Sequence, residues 1–280
     1  MKGSGHSYKD FAFIIPSLAG VSIFVFIPFC DVIRRSFTSV TGNVFTGIDN
    51  YKTLFAKEAF RLGVFNTARF IAACVPILLI LSLFIANIIY FNKITKIENI
   101  CLLPMAVPIA TMVFVWRMIF HKNGLINSWF GSSTDWIHSS HAFGVMVVSY
   151  LWKNTGYYVV LWIAGLSGIP KSQYEAADMD GAGGFQKFRY ITLPGLKSMM
   201  PTTFILALTG TLKSYREAYL LAGEYPDKSI YMIQHMFHNW FRDMSVDKMA
   251  AGAVIIVCIF AVIVYPFRKK GGGDVASLAG

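Results

Sequence analysis

Lys213, Arg216 and Glu217 fall inside a run that is otherwise apolar enough to cross a membrane. A charge at bilayer depth costs at least about 2.5 kcal/mol on insertion scales, so such residues usually face a polar interior or pair with one another. Lys213 and Glu217 are four residues apart, which puts them on one helical face and predicts an ion pair. Tyr215 and Tyr219 share another face, and their rings combine a flat apolar body with a polar tip, suited to stacking on sugars. A second polar cluster, Trp152, Lys153, Asn154, Tyr157 and Tyr158, interrupts a different apolar run. Two readings stand. In one, Trp152, Asn154, Tyr157, Lys213, Tyr215, Arg216 and Glu217 line a path for a polar solute. In the other, the charges form a structural pair near the outer headgroups or mark an early helix end, and the aromatics form an interfacial belt.

Two histidines, His235 and His238, lie in Tyr231 to Arg242, where Met232, Ile233, Met236, Phe237, Trp240 and Phe241 recur at helical spacing. Gln234, His235, His238 and Asn239 occupy the opposite side, so the segment reads as an amphipathic helix in the outer interface. No third ligand has the spacing of a metal site, and a solvated polar face is the expectation. The sequence has no G-x-x-x-x-G-K-[ST] phosphate loop, no H-E-x-x-H and no G-x-S-x-G. It nominates no catalytic residue, no metal and no cofactor of its own.

These residues are carried by a chain of 280 residues, 55% hydrophobic and only 14% charged, where a soluble domain would be about one quarter charged. The mean hydropathy of +0.53 points the same way. The net charge of +10 could suggest nucleic acid, but no basic, aromatic-interleaved stripe is present. Basic residues sit mostly at the ends of apolar runs, where lipid headgroups attract them. Cys30, Cys74, Cys101 and Cys258 lie in or beside apolar runs without C-x-x-C spacing, which excludes a disulfide framework or clustered zinc site.

A crossing helix needs about 20 apolar residues. Six candidates follow: Phe11 to Cys30, Thr67 to Phe91, Asn99 to Ile119, Ala142 to Leu166, Met199 to Ala222, and Met249 to Phe267. The first resembles a signal peptide but is long and lacks an A-x-A site, so an uncleaved span is expected. The expectation is an all-α integral membrane protein built as one transmembrane domain over residues 1–280, with a flexible tail at 271–280. The positive-inside rule favours cytoplasmic termini, through Lys2, Lys9, Lys93, Lys96, Lys171, Lys187, Arg189, Lys197 and Arg268 to Lys270; Arg34, Arg35, Lys52, Lys57 and Arg61 oppose it.

The polar segment 169–197 joins the fourth and fifth candidates. Ser172 and Glu175 have capping-box spacing, which predicts a short helix from there that stops at Gly181. A second helical piece is expected near Gly184, and Leu193-Pro194 precede the return to the membrane. Ala177 and Gly181 are small enough for another backbone to approach.

Glu175-Ala176-Ala177, Gly181, Ile191 and Leu193-Pro194, at these spacings, resemble the signature loop of ABC-importer permeases. Trp152 to Ile169, Gly47-Ile48-Asp49-Asn50-Tyr51 and Lys213 to Trp240 are also similar to that family, in its carbohydrate-uptake branch near the maltose and glycerol-3-phosphate permeases. The resemblance implies the type I importer permease fold and a bacterial plasma (inner) membrane location with both termini cytoplasmic. It implies that Glu175, Ala176, Ala177, Gly181, Ile191, Leu193 and Pro194 form a coupling loop docked on an ATP-binding subunit. The expected partners are a second homologous permease, two ATP-binding subunits that carry ATP and Mg, an extracytoplasmic solute-binding protein and membrane lipid. The expected cargo is a sugar or oligosaccharide. An ion-coupled secondary transporter is the alternative, which would need paired broken spans and a midplane carboxylate, for which Glu217 is the candidate.

Overall fold

A computed structural model describes residues 8–39 and 44–271, and the proposed tail from residue 272 onward lies outside them. The described residues are almost wholly helical, with a single isolated bridge between Thr38 and Phe45. In chain order the helices are α1 (Tyr8–Val21), α2 (Ile27–Ser36), α3 (Asp49–Ala56), α4 (Glu58–Phe91), α5 (Thr95–Ala106), α6 (Ile109–Phe120), α7 (Leu125–Phe130) and α8 (Ala142–Ser167). They continue as α9 (Lys171–Met179), α10 (Gly184–Lys187), α11 (Leu193–Gly195), α12 (Met200–Leu212), α13 (Tyr215–Ala222), α14 (Ile233–Arg242) and α15 (Val246–Gly271).

Three of these stretches are long and apolar enough to cross a membrane: Ile14–Ser36, Glu58–Phe91 and Val246–Pro266. Two bent pairs pass the same test, one from α5 into α6–α7 and one from α10–α11 into α12–α13. Helix α8 is not among these stretches, although its 26 residues span about 39 Å at the usual helical rise. Its apolar character is interrupted by Lys153, Asn154 and Thr155.

The helices depart from the expected spans in ways that have physical causes. The first runs on to Ser36, through a π-helical stretch at Ser22–Phe26. The expected single span Asn99 to Ile119 is two helices bent by 101°. Pro108 cannot donate a backbone N–H, and it pushes Val107 into an extended conformation between the two. The span Met199 to Ala222 breaks at Lys213 and Ser214, where no proline stands. There the Leu212 carbonyl accepts a hydrogen bond from Gln234 Nε2 at 2.6 Å, so the break leaves this carbonyl satisfied.

The chain divides into two compact units. The first comprises the described residues up to Phe60 with Phe237–Val262. Here the Gly47 to Tyr51 motif folds back on the end of α2. Asn50 Nδ2 donates to the carbonyls of Ser36 (3.0 Å) and Thr38 (2.9 Å), and Tyr51 donates to Ser36 Oγ at 2.7 Å. Gly47 takes φ +59°, a left-handed turn that favours glycine.

The second unit is Arg61–Met236 with the residues from Ile263 onward. Its core collects Phe70, Leu78, Met146, Tyr150, Trp162, Leu166 and Leu196 from α4, α8 and the segment after α11. Buried polar groups are matched across helices: Trp162 Nε1 donates to Ser82 Oγ at 3.0 Å. Asn66 Nδ2 holds the carbonyls of Lys228 and Tyr231 at 2.6 and 2.9 Å, and Thr67 Oγ1 accepts the Ile233 N–H at 3.1 Å. Helices α5 and α8 touch backbone to backbone at Gly156, where a Cβ would lie 2.5 Å from the Cys101 carbonyl carbon and closer still to its oxygen.

Candidate functional site

The segment with the Glu-Ala-Ala spacing is a short helix that ends in a closed cap. Helix α9 starts behind Pro170 and has no side-chain cap. The predicted Ser172–Glu175 capping box therefore does not form, because the helix begins before Ser172 and places both residues within its first turns. The C-terminal expectation differs only in detail. Gly181 is left-handed at φ +73°. The Gly181 N–H bonds Asp178 O at 3.1 Å and the Ala182 N–H bonds Ala177 O at 2.9 Å, the two hydrogen bonds of a Schellman motif. A Cβ on Gly181 would meet nothing within 4 Å, so conformation and not crowding selects glycine there.

Helix α10 then begins at Gly184, where Gln186 Oε1 accepts the Gly183 N–H at 2.8 Å. Lys187 and Asp178 form an ion pair at 2.5 Å that ties α10 to α9. Tyr174, nearly buried, points the other way. Its hydroxyl shares a hydrogen bond with Thr192 Oγ1 at 3.0 Å, and its ring meets Phe91 edge-on at 5.1 Å. Burial raises the Tyr174 phenol above its ordinary pKa, although the Thr192 bond opposes this. The return segment is equally tight: a Cβ on Gly165 would strike Met199 Sδ and Leu196 Cδ2, and one on Gly195 would strike Ile169.

Glu175 and Ala176 are exposed, Ala177, Ile191 and Leu193 are half-buried, and Pro194 is exposed. Beside them stand three residues that the sequence reading passed over. Met179 is 89% exposed, Phe185 79% and Tyr190 74%. A riveted polar loop that presents large apolar side chains to solvent has the character of a docking surface. The available signal was their presence in a loop otherwise rich in Gly, Asp, Lys and Gln.

The seven residues assigned to a solute path make different contacts. Glu217 does not pair with Lys213, because the break at residues 213–214 destroys the i,i+4 register between them. It meets Lys153 of α8 instead, Oε1 to Nζ at 3.7 Å, with both side chains largely buried. Lys213 and Arg216 are exposed. Tyr215 lies against Tyr219 and the buried His235, with centroids at 5.6 and 4.9 Å. Trp152 is half-exposed and packs edge-on against Trp116 of α6 at 5.6 Å. Asn154 Nδ2 donates to the Tyr150 carbonyl of its own helix at 2.8 Å. Tyr157 packs on Tyr158.

His235 corrects the expectation of a solvated histidine face. It is buried, and its Nδ1 accepts the Met232 N–H at 3.1 Å, so it closes the start of α14. Asn239 is buried as well. Arg117 was also missed, although a charge inside Ile109–Phe120 is visible in the sequence. Its guanidinium takes the Leu220 carbonyl at 2.9 Å and the Leu221 carbonyl at 2.9 and 3.2 Å, which satisfies the C-terminal end of α13.

Apolar helices of membrane-crossing length, together with two helix pairs joined across sharp bends, define an all-helical membrane protein. The sequence model of the family described as binding-protein-dependent transport system inner membrane component matches residues 79–268, and the chain belongs to that family. The chain is 30% identical over 264 residues to the trehalose/maltose transport system permease protein MalF of Thermococcus litoralis, covering 89% of this chain and 88% of the relative. It is 26% identical to the arabinooligosaccharides transport system permease protein AraP of Bacillus subtilis, over 90% of this chain and 84% of that one. In fold it matches a chain of a crystallised bacterial ABC transporter involved in the import of the acidic polysaccharide alginate. The TM-score there is 0.79 at 20% identity, covering 94% and 95% of the two chains. The protein is thus the permease subunit of an ABC importer and not an ion-coupled carrier.

Proposed function

We propose that this subunit carries a sugar or oligosaccharide across a bacterial inner membrane, handed over by an extracytoplasmic binding protein and driven by ATP hydrolysed on separate subunits. The relatives named for trehalose/maltose and arabinooligosaccharide transport support the cargo class. A solved relative in fold is in complex with an alginate pentasaccharide-bound periplasmic protein, which supports that partner. A second, homologous permease completes the pore, and two ATP-binding subunits carry ATP and Mg. Both termini and the loop 169–197 face the cytoplasm.

One observation carries the coupling assignment: Met179, Phe185 and Tyr190 are exposed around Glu175, Ala176, Ala177 and Gly181 on a loop closed on itself by the Tyr174–Thr192 hydrogen bond and held to the end of α4 by Tyr174 against Phe91. A rigid loop transmits motion in a way a flexible one does not, because packed interfaces switch between discrete arrangements. Ile191, Leu193 and Pro194 pass that motion into α12. Along the solute path, Lys153 and Glu217 hold α8 to α13, and the exposed Trp152, Tyr157, Lys213 and Arg216 meet the solute. Asn154 and Tyr215 shape its walls.

The test is uptake of radiolabelled sugar by cells that express Glu175→Ala or Gly181→Leu. Both variants should insert at wild-type levels and lose transport by at least tenfold. Wild-type uptake in either would remove the loop from the mechanism.

A further inference from the structure

Helices α4, α8 and α12 enclose a groove of about 380 Å³ whose walls include Leu79, Leu83, Pro201 and Phe204. Its floor is Trp162, only 2% exposed, with its indole N–H committed to Ser82. The floor thus offers a solute no donor. Ile80, on one wall, is 70% exposed, and its helix neighbours Ile77 and Phe84 are exposed beside it. These are side chains of a crossing helix, so the groove opens on the surface that acyl chains wet.

One charged side chain lines this apolar space. Lys197 stands at the end nearest α12, is itself exposed, and no acidic residue accompanies it in the lining. The start of α12 adds the partial positive charge of a helix N-terminus. A lysine at the end of a crossing helix lies at headgroup depth. An apolar slot closed by a cation at that depth matches a molecule with a hydrocarbon tail and an anionic head. Basic pockets between membrane helices hold anionic lipid headgroups by this same combination.

We propose that the groove is a binding site for one anionic phospholipid, with an acyl chain against Leu79, Leu83, Trp162 and Phe204 and the headgroup phosphate on Lys197. Lys197 is three residues past Pro194, and its neighbours Leu196 and Met199 pack where Gly165 leaves no room for a side chain. The bound lipid therefore rests on the segment that connects the loop to α12.

The full chain, with the subunits that accompany it, is placed in nanodiscs of equal palmitoyl-oleoyl phosphatidylglycerol and phosphatidylcholine, and the lipids retained after transfer to detergent are counted by native mass spectrometry. One phosphatidylglycerol should be retained in preference. Lys197→Gln should lower its retention about fivefold, the effect of one basic side chain near an anionic surface, and Lys197→Arg should preserve it. Leu83→Trp, which fills the groove, should abolish it. Equal retention of both headgroups, or no effect of Lys197→Gln, would overturn the proposal. So would displacement by millimolar inorganic phosphate, which would indicate a simple anion site, or an Ile80→Cys crosslink to a second permease in place of lipid.

Discussion

Replacing Gly156 by alanine tests the packing of α5 on α8 at its tightest point. The added Cβ would sit 2.5 Å from the Cys101 carbonyl carbon and 3.3 Å from the Leu102 nitrogen. Carbon atoms in van der Waals contact lie about 3.5–4.0 Å apart, so the helices must separate by at least about 1 Å. Both partners are backbone, and no side chain can rotate away to make room. Overpacking of this kind costs about 1–3 kcal/mol, and more where the obstacle is rigid, so about 3 kcal/mol is expected here. Gly144 lies on the same helix, and a Cβ there meets nothing within 4 Å. Gly144→Ala should therefore be neutral, or stabilising by up to about 1 kcal/mol through helix propensity. The assay is thermal unfolding in mild detergent, followed by size-exclusion with fluorescence detection. Gly156→Ala should lower the midpoint by several degrees and Gly144→Ala should not. Equal midpoints, or equal losses, would refute the close crossing.

The Lys153–Glu217 pair predicts strong non-additivity: Lys153→Met or Glu217→Gln alone should destabilise by about 3–5 kcal/mol by stranding a buried group, and the double variant should recover much of that loss, as a double-mutant cycle of chemical unfolding would show. Tyr174→Phe removes the hydroxyl bond to Thr192, worth about 1 kcal/mol, and should raise hydrogen exchange in residues 171–192 while insertion is unchanged. Asp135 is held below the ordinary carboxylate pKa chiefly by the His138 N–H and also by that of Ile137. Because the folded value is the lower one, the stabilisation is present above about pH 4 and is lost as pH falls through the folded value. Proteolysis of the 121–141 loop should therefore accelerate on acidification, and Asp135→Ala should remove that dependence.

The apolar runs made the crossing helices legible, because about 20 apolar residues in a row have few other uses. The two short helices of the loop were legible too, since Gly181 and Gly184 punctuate a polar stretch. What could not be read depended on partners distant in sequence. Glu217 has Lys213 four residues away, and only the break at residues 213–214, held by Gln234 from another helix, redirects it to Lys153. Prolines 76 and 104 lie within helices while Pro108 stands at a 101° bend, and the residue type alone does not separate those cases. His235 stands in a polar row of α14 yet is buried, because the buried side of that helix, with Met236, Asn239 and Trp240, reaches past its apolar stripe. The exposed Met179, Phe185 and Tyr190 were overlooked for the opposite reason: in a membrane protein, three apolar residues are not conspicuous until the structure shows them outside the core.

The most direct test of the account is affinity purification of the tagged chain from its own host membranes in mild detergent, followed by an ATPase assay. Loss of co-purifying ATPase subunits and of their activity when Glu175 and Gly181 are replaced is the predicted result. A chain that arrives alone, hydrolyses nothing and still moves solute in vesicles under an ion gradient would contradict it.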